Sequence, residues 1–252
     1  MKKNYLPLLA IAVAALLIVS SCKKDTTTTD PQVLFGMQSD NATATFVSAA
    51  NPSNGLTTVL STSSATTATG TASVAWTSAI ANIAQFKLQA KKDGSPITIT
   101  ANGLTNIDLT AVSPATIAAT LPKGNYTGVE IHVVLTKTTG TAYPLILKGT
   151  YTTKTGTQIP IEFDFNDNVE IVATAADINI DGTSNLAANM NLHLSQLLAT
   201  VTATDIDQTT RTTIGTSANG ILITSTSNSN VYAKILVAIG SAGGSKVTTV
   251  KK

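Results

Sequence analysis

The sequence predicts a mainly β fold, an antiparallel β-sandwich with one or two short helices near the C-terminus. Three observations carry that expectation. Only 12% of residues are charged and 43% are hydrophobic, with Thr, Ala and Ser abundant and Glu and Arg scarce, a composition suited to strands and small-residue loops. From residue 70 onward, apolar and polar residues alternate in run after run, the period of a strand with one buried face. Turn-forming residues punctuate those runs at short intervals, which favours antiparallel connections over long crossovers.

Residues 1–21 read as an export signal. Lys2-Lys3 supplies a basic start, and residues 6–19 form an apolar run short for a membrane span. Val19-Ser20-Ser21-Cys22 follows. It resembles a bacterial lipobox, which implies cleavage before Cys22, acylation of its thiol (palmitate and related chains) and attachment to a membrane. Lys2 and Lys3 account for the whole charge imbalance: 16 basic against 14 acidic residues becomes 14 against 14 without them. The basic balance therefore offers no nucleic-acid footprint. Cys22 is the one cysteine, so no disulfide staples the fold and no free thiol is left as a nucleophile.

Residues 22–31 read as the lipidated cysteine and a polar tether, 32–245 as the sandwich region, in one large or two small sandwiches, and 246–252 as a loose tail. The start Cys22-Lys23-Lys24-Asp25 is similar to that of mature lipoproteins of Bacteroidota, where charge after the cysteine accompanies surface export. It carries fewer acids than those, so the outer membrane is expected and the choice between periplasmic and surface face stays open. Asp25-Thr26-Thr27 resembles the glycosylation site of that phylum, with Thr26 as acceptor; a plain solvated spacer is the alternative.

The elements follow in order. Strands are expected over residues 33–37 and 43–47. Ala72, Val74 and Trp76 share a face, as do Phe86, Leu88 and Ala90 before the turn Lys92-Asp93-Gly94. Ile97 and Ile99 come next, then Ile107 and Leu109, then residues 117–121 up to the turn Pro122-Lys123-Gly124. Val129, Ile131, Val133 and Leu135 face one way along 126–135. Leu145, Leu147 and Tyr151 face inward, as do Ile161, Phe163 and Phe165. Matching apolar with apolar about the turn Lys154-Thr155-Gly156 puts Lys148 opposite Asp164 and Thr150 opposite Glu162. The turn Asn166-Asp167-Asn168 then puts Phe163 opposite Ile171 and Asp164 opposite Glu170. Helical spacing predicts a helix through Leu194, Leu197, Leu198 and Val201 with Ser195 as cap. A second runs through Tyr232, Ile235, Leu236 and Ile239, between Asn230 and the stop Gly240.

A stretch within 74–135 resembles an uncharacterised domain family of bacterial secreted proteins and lipoproteins. The residues that carry it are Phe86-Lys87-Leu88-Gln89-Ala90, Ile107-Asp108-Leu109 and above all Leu121-Pro122-Lys123-Gly124-Asn125-Tyr126-Thr127-Gly128-Val129-Glu130-Ile131. The Leu-Pro-x-Gly-x-Tyr-Thr-x-Val core is similar to a turn of transthyretin-like sandwiches. The resemblance implies a transthyretin-like or immunoglobulin-like sandwich, with residues 121–126 joining two antiparallel strands and Tyr126 closing the core. It carries over no catalytic residue.

Candidate chemistry is sparse. The two histidines, His132 and His193, alternate with apolar neighbours and so belong to polar strand faces. Glu130-x-His132 could form one edge of a zinc site, but further ligands are not evident. Asp177-Ile178-Asn179-Ile180-Asp181-Gly182 matches the first half of a calcium loop; the twelfth position is Ala188, where a bidentate Glu is needed. A strand with Asp177, Asn179 and Asp181 on its outer face fits equally. Residues 70–159 hold seven lysines, and residues 160–210 hold eight acids and no Lys or Arg. Asp164 beside Glu170 is a like-charge pair that Lys148, or a divalent cation such as calcium, would have to neutralise. No Gly-x-Ser-x-Gly, His-Glu-x-x-His or phosphate loop occurs.

These observations favour a lipid-anchored envelope protein with a non-enzymatic structural or binding role, its partners the membrane and other envelope proteins. One alternative is a subunit of a fimbria-like surface assembly. Pilins resembling this chain are trimmed after an N-terminal arginine, and the one arginine here is Arg211, which counts against it. Another alternative is a calcium-binding or hydrolytic surface protein.

Overall fold

Alternating apolar residues become strands wherever one face can be buried. The computed structural model describes residues 30–46 and 70–251. The chain runs through β1 (Gln32–Asp40) and β2 (Thr43–Phe46), then β3 (Ala72–Ala81), β4 (Gln85–Lys92), β5 (Ser95–Asn102), β6 (Ile107–Asp108), β7 (Thr116–Thr120) and β8 (Gly124–Leu135). It continues through β9 (Leu145–Thr152), β10 (Gln158–Phe165), β11 (Val169–Ala175), β12 (Ile178–Ile180) and β13 (Ser184–His193). A 3-10 turn (Gln196–Leu198), α1 (Ala203–Asp207), β14 (Thr212–Ile214), β15 (Ser217–Ile223), α2 (Ser229–Ile239) and β16 (Gly243–Lys251) complete it.

These strands form three sheets, ordered β16-β13-β1-β7, β14-β15-β10-β9-β3-β2 and β11-β8-β4-β5. The first and third face each other. Phe35 of β1 stacks on Phe86 of β4 with ring centroids 5.7 Å apart. The backbone of Gly243 in β16 lies close enough to Ile171 of β11 and the Met190 sulfur of β13 that a Cβ there would come within 2.7 and 2.9 Å of them. The edges also meet, β5 beside β7 and β11 beside β16, so the sandwich is nearly closed. The second sheet is roofed by helices instead. Tyr232 of α2 packs against Phe163 and Phe165, at 5.7 and 6.3 Å, and the buried Tyr151 hydroxyl donates to Asp207 of α1 (2.7 Å). The buried apolar residues of all three sheets form one continuous core.

The mainly β fold, the sandwich and the C-terminal helix stand as expected, with two additions. The pairs β1–β13 and β10–β15 are parallel. The second unit is a sheet under helices, not another sandwich.

Several local expectations change. Inward and outward faces around residues 145–165 are as derived, with Leu145, Leu147, Tyr151, Ile161, Phe163 and Phe165 all buried. The register is two residues off: Lys148 lies opposite Glu162, and Asp164 opposite Ile146. The loop closes through the Thr153 N–H on the Thr157 carbonyl (2.9 Å), centring the hairpin on Thr155. Moving that centre by one residue shifts each partner by two, which keeps every side chain on its face and still sets Leu147 against a phenylalanine. Residues 166–168 do not form a hairpin. β11 pairs with β8 in the third sheet, so Asp164 is not opposite Glu170, and Phe163 is not opposite Ile171. Asn166 anchors this corner, accepting from the Thr138 N–H (2.8 Å) and donating to the Thr138 carbonyl (2.9 Å).

Residues 121–126 likewise cross between sheets, because β7 pairs with β1 while β8 pairs with β4. Tyr126 is 2% exposed and donates to the Pro122 carbonyl. Ser195 makes no capping bond; the helix expected there is a 3-10 turn followed by α1, capped by Thr202 through a capping box with Asp205. α2 starts at Ser229, so Asn230 lies inside it, and Gly240 ends it in a right-handed conformation. Residues 246–251 are no loose tail: β16 pairs with β13 from Gly243 to Lys251.

Candidate functional site

The outer face of the third sheet carries the densest set of interacting ionisable side chains among the described residues. Phe86 and Leu88 point into the core, so Lys87 between them points outward. By the same alternation Glu130 and His132 point outward from β8, and Glu170 from β11. Register brings them together, since Lys87, His132 and Val172 are neighbours across β4, β8 and β11. His132 Nδ1 lies 2.9 Å from Glu170 Oε1, and its Nε2 lies 3.3 Å from Glu130 Oε2. Lys87 Nζ completes the chain at 2.9 Å from the same Glu170 oxygen. Lys87, with His132 beside it, holds the Glu170 carboxyl below the usual carboxylate range. His132 is 7% exposed although it stands on an outer face. Its ring is occupied by carboxylates on both sides, and among the described residues it has no hydroxyl partner to activate.

Here the uneven charge distribution resolves. The lysine-rich and acid-rich halves interleave in space, giving Lys87–Glu170 and, in the second sheet, Lys148–Glu162 at 3.0 Å. Asp164 and Glu170 belong to different sheets, so the pairing that suggested a shared cation does not form. Asp164 stands beside Glu162 on β10. Burial, then the Glu162 charge, raises its carboxyl from 3.8 to about 6, and its Oδ1 is buried without a hydrogen-bond partner.

The calcium-loop residues lie on and around β12, each with a different protein partner. Asp177 accepts from the Gly128 N–H (3.0 Å), at a point where Gly128 adopts φ +59° and interrupts the edge of β8 between β12 and β11. Asn179 donates to Asn125 (2.6 Å). Asp181 accepts from the Thr183 N–H and hydroxyl at 2.7 and 2.8 Å, which holds its carboxyl below the usual range. Among the described residues no three His, Cys, Asp or Glu side chains gather as a metal set.

His193 pairs through Nδ1 with Asp40, its neighbour across β1 and β13. Its Nε2 edge lies against Gly244, where a Cβ would come within 2.5 Å. Among the described residues no serine completes this dyad. A polar groove of about 290 Å³ opens beside the start of α2, lined by Asp205, Thr209, Thr210, Asn228 and Asn230 among others. Asp205 there is ion-paired with Lys234 at 2.6 Å, and the lining lacks the apolar walls of a typical small-molecule site. Cys22 and Thr26 lie outside the described residues.

Sequence reasoning placed Glu130 and His132 together and missed Lys87 and Glu170 as their partners. The outward position of Lys87 was readable from the alternation around it; strand order was not, because β4, β8 and β11 are far apart in the chain. Comparison with protein-family models, curated proteins and solved structures finds no match to this chain.

Proposed function

We propose that the chain is a lipid-anchored protein of the bacterial cell envelope, with a non-enzymatic structural or binding role for its β-sandwich. The observation that carries this reading is Val19-Ser20-Ser21-Cys22, a lipobox-like tetrapeptide after a basic start and an apolar run, holding the one cysteine of the sequence. The geometry supports the non-enzymatic part: each histidine ring is engaged by carboxylates, and neither meets a serine among the described residues. Among the described residues no helix is long and apolar enough to cross a membrane.

The test is fractionation of cells expressing the chain and its Cys22→Ala variant, with mass spectrometry of the N-terminal peptide. The expected result is an acylated Cys22 and a membrane-bound protein, with the variant in the soluble fraction. A Cys22 free of lipid in the purified protein overturns the reading.

A further inference from the structure

The carboxylate–imidazole–carboxylate arrangement at His132 has a proton requirement. A neutral imidazole has one N–H donor and one lone-pair nitrogen. Both nitrogens of His132 face carboxylate oxygens, at 2.9 and 3.3 Å, and ionised carboxylates only accept. A neutral ring would turn one lone pair against a carboxylate at a position 7% exposed to water, where an unsatisfied contact is expensive. One additional proton removes the conflict and makes the signs alternate: Glu130 negative, His132 positive, Glu170 negative, Lys87 positive. These are the charged groups that meet the ring or its partners from β8, β11 and β4. The four charges then sum to zero on one sheet face.

We propose that Glu130, His132, Glu170 and Lys87 form a proton-operated lock. In its doubly protonated form His132 fastens the edge strand β11 to β8 and, through Glu170 and Lys87, to β4. Loss of the proton on raising pH leaves the site with a net negative charge and one carboxylate facing a lone pair, so the β11 edge loosens. β11 is also where the third sheet meets β16, so the lock governs one of the two seams of the sandwich. Strong acid opens it as well, by protonating Glu130 and Glu170, and the lock therefore holds over an intermediate range of pH. The inference stands on the geometry of the face and is independent of how the chain is anchored.

The test is nitrogen-15 NMR of the histidine rings in the full chain, purified in detergent and titrated between about pH 5 and about pH 9, the range in which imidazole charge changes matter. Both ring nitrogens of His132 should carry protons while the lock is closed, and loss of one on raising pH should coincide with shifts of the Glu170, Ile171 and Val172 amides. A ring that stays a neutral tautomer throughout the range, or a titration that leaves the β11 amides unmoved, overturns the lock. On the alkaline side the native chain should lose roughly 2–4 °C of melting temperature that His132→Gln does not lose. Should that variant fail to fold, Glu130→Gln serves: the Glu130 side chain is 45% exposed, so the fold should tolerate it, and with one carboxylate gone the ring should release its proton at lower pH. An unchanged titration in Glu130→Gln equally sinks the proposal.

Discussion

A half-buried carboxylate is a titration device whatever else it does, and Asp164 is the clearest case. Its carboxyl is raised from 3.8 to about 6 by burial and by the Glu162 charge, so between those values the folded chain binds a proton that the unfolded chain releases. The stability this confers is fully present below about pH 4 and is lost as pH rises through about 6. Asp164→Asn should therefore be more stable than the native chain at neutral pH, by about 1–2 kcal/mol after allowance for screening. The two should converge in urea midpoint below about pH 4; parallel midpoints across that range would refute the assignment. Tyr151 gives a second residue-scale prediction. Its hydroxyl donates to Asp207 from a fully buried position, and burial, with that bond, holds it above the usual tyrosine range. Tyr151→Phe should cost about 1–2 kcal/mol by urea denaturation, because Asp207 loses its donor. The sequence showed that Tyr151 faces inward, since period-two alternation is local. It could not show which acid would meet the hydroxyl, since Asp207 lies 56 positions away.

Among the elements, α1 shows why a cap is hard to assign from spacing alone. Ser195 and Thr202 are both acceptable cap residues, and the apolar run from Leu194 to Val201 pointed to the first. The structure uses the second, because His193 still belongs to β13 and only three residues after Ser195 form a 3-10 turn. The two positions should behave oppositely. Thr202→Ala removes a capping box and should lower stability by about 1 kcal/mol. Ser195→Ala removes a buried hydroxyl that has no partner and should be neutral or stabilising. If calorimetry ranks them the other way, the cap has been placed at the wrong residue. Gly149 is a sharper test of strand pairing. A Cβ there would fall 2.2 Å from the Ala75 carbonyl oxygen and 2.9 Å from Trp76 Cα, where β3 carries an irregular step opposite β9. Gly149→Ala should destabilise by roughly 1–3 kcal/mol, the ordinary consequence of forcing an extra methyl into packed structure. At this scale the strands of the sequence were largely readable, and their partners were not. The outward order Lys148, Asp164, Glu170 satisfied every local rule. It failed because a shift of two residues preserves faces, and because nothing local binds β11 to β10 in preference to β8. β16 escaped notice for a related reason: its Thr- and Lys-containing sequence carries a weak alternation, and it becomes a strand through pairing with β13.

For the whole molecule, β3 lies in the helix-roofed sheet and leads directly into β4 of the sandwich, and the buried residues form one core. The two units should accordingly unfold together. Fluorescence of Trp76, the sole tryptophan, reports the second sheet, and amide exchange of β8 reports the third. Their denaturation midpoints should coincide, and two separate transitions would show that the units are independent. Refolding should be slow for a domain of this size, on the order of milliseconds to seconds, because its sheets are built from distant segments.

The first of those distant pairings has a temporal consequence. β1 occupies the middle of its sheet, parallel to β13 across 153 residues, with Val33 beside Leu186 and Asp40 beside His193. A polypeptide delivered N-terminus first, from a ribosome or through a translocation pore, exposes β1 early and β13 late. Throughout that interval β1 has only the short β7 as a ladder neighbour, although β4, whose Phe86 stacks on Phe35, has already emerged. The first sheet can therefore be completed only after residue 193 has emerged, which makes the last third of the sequence the timekeeper of folding for the first strand.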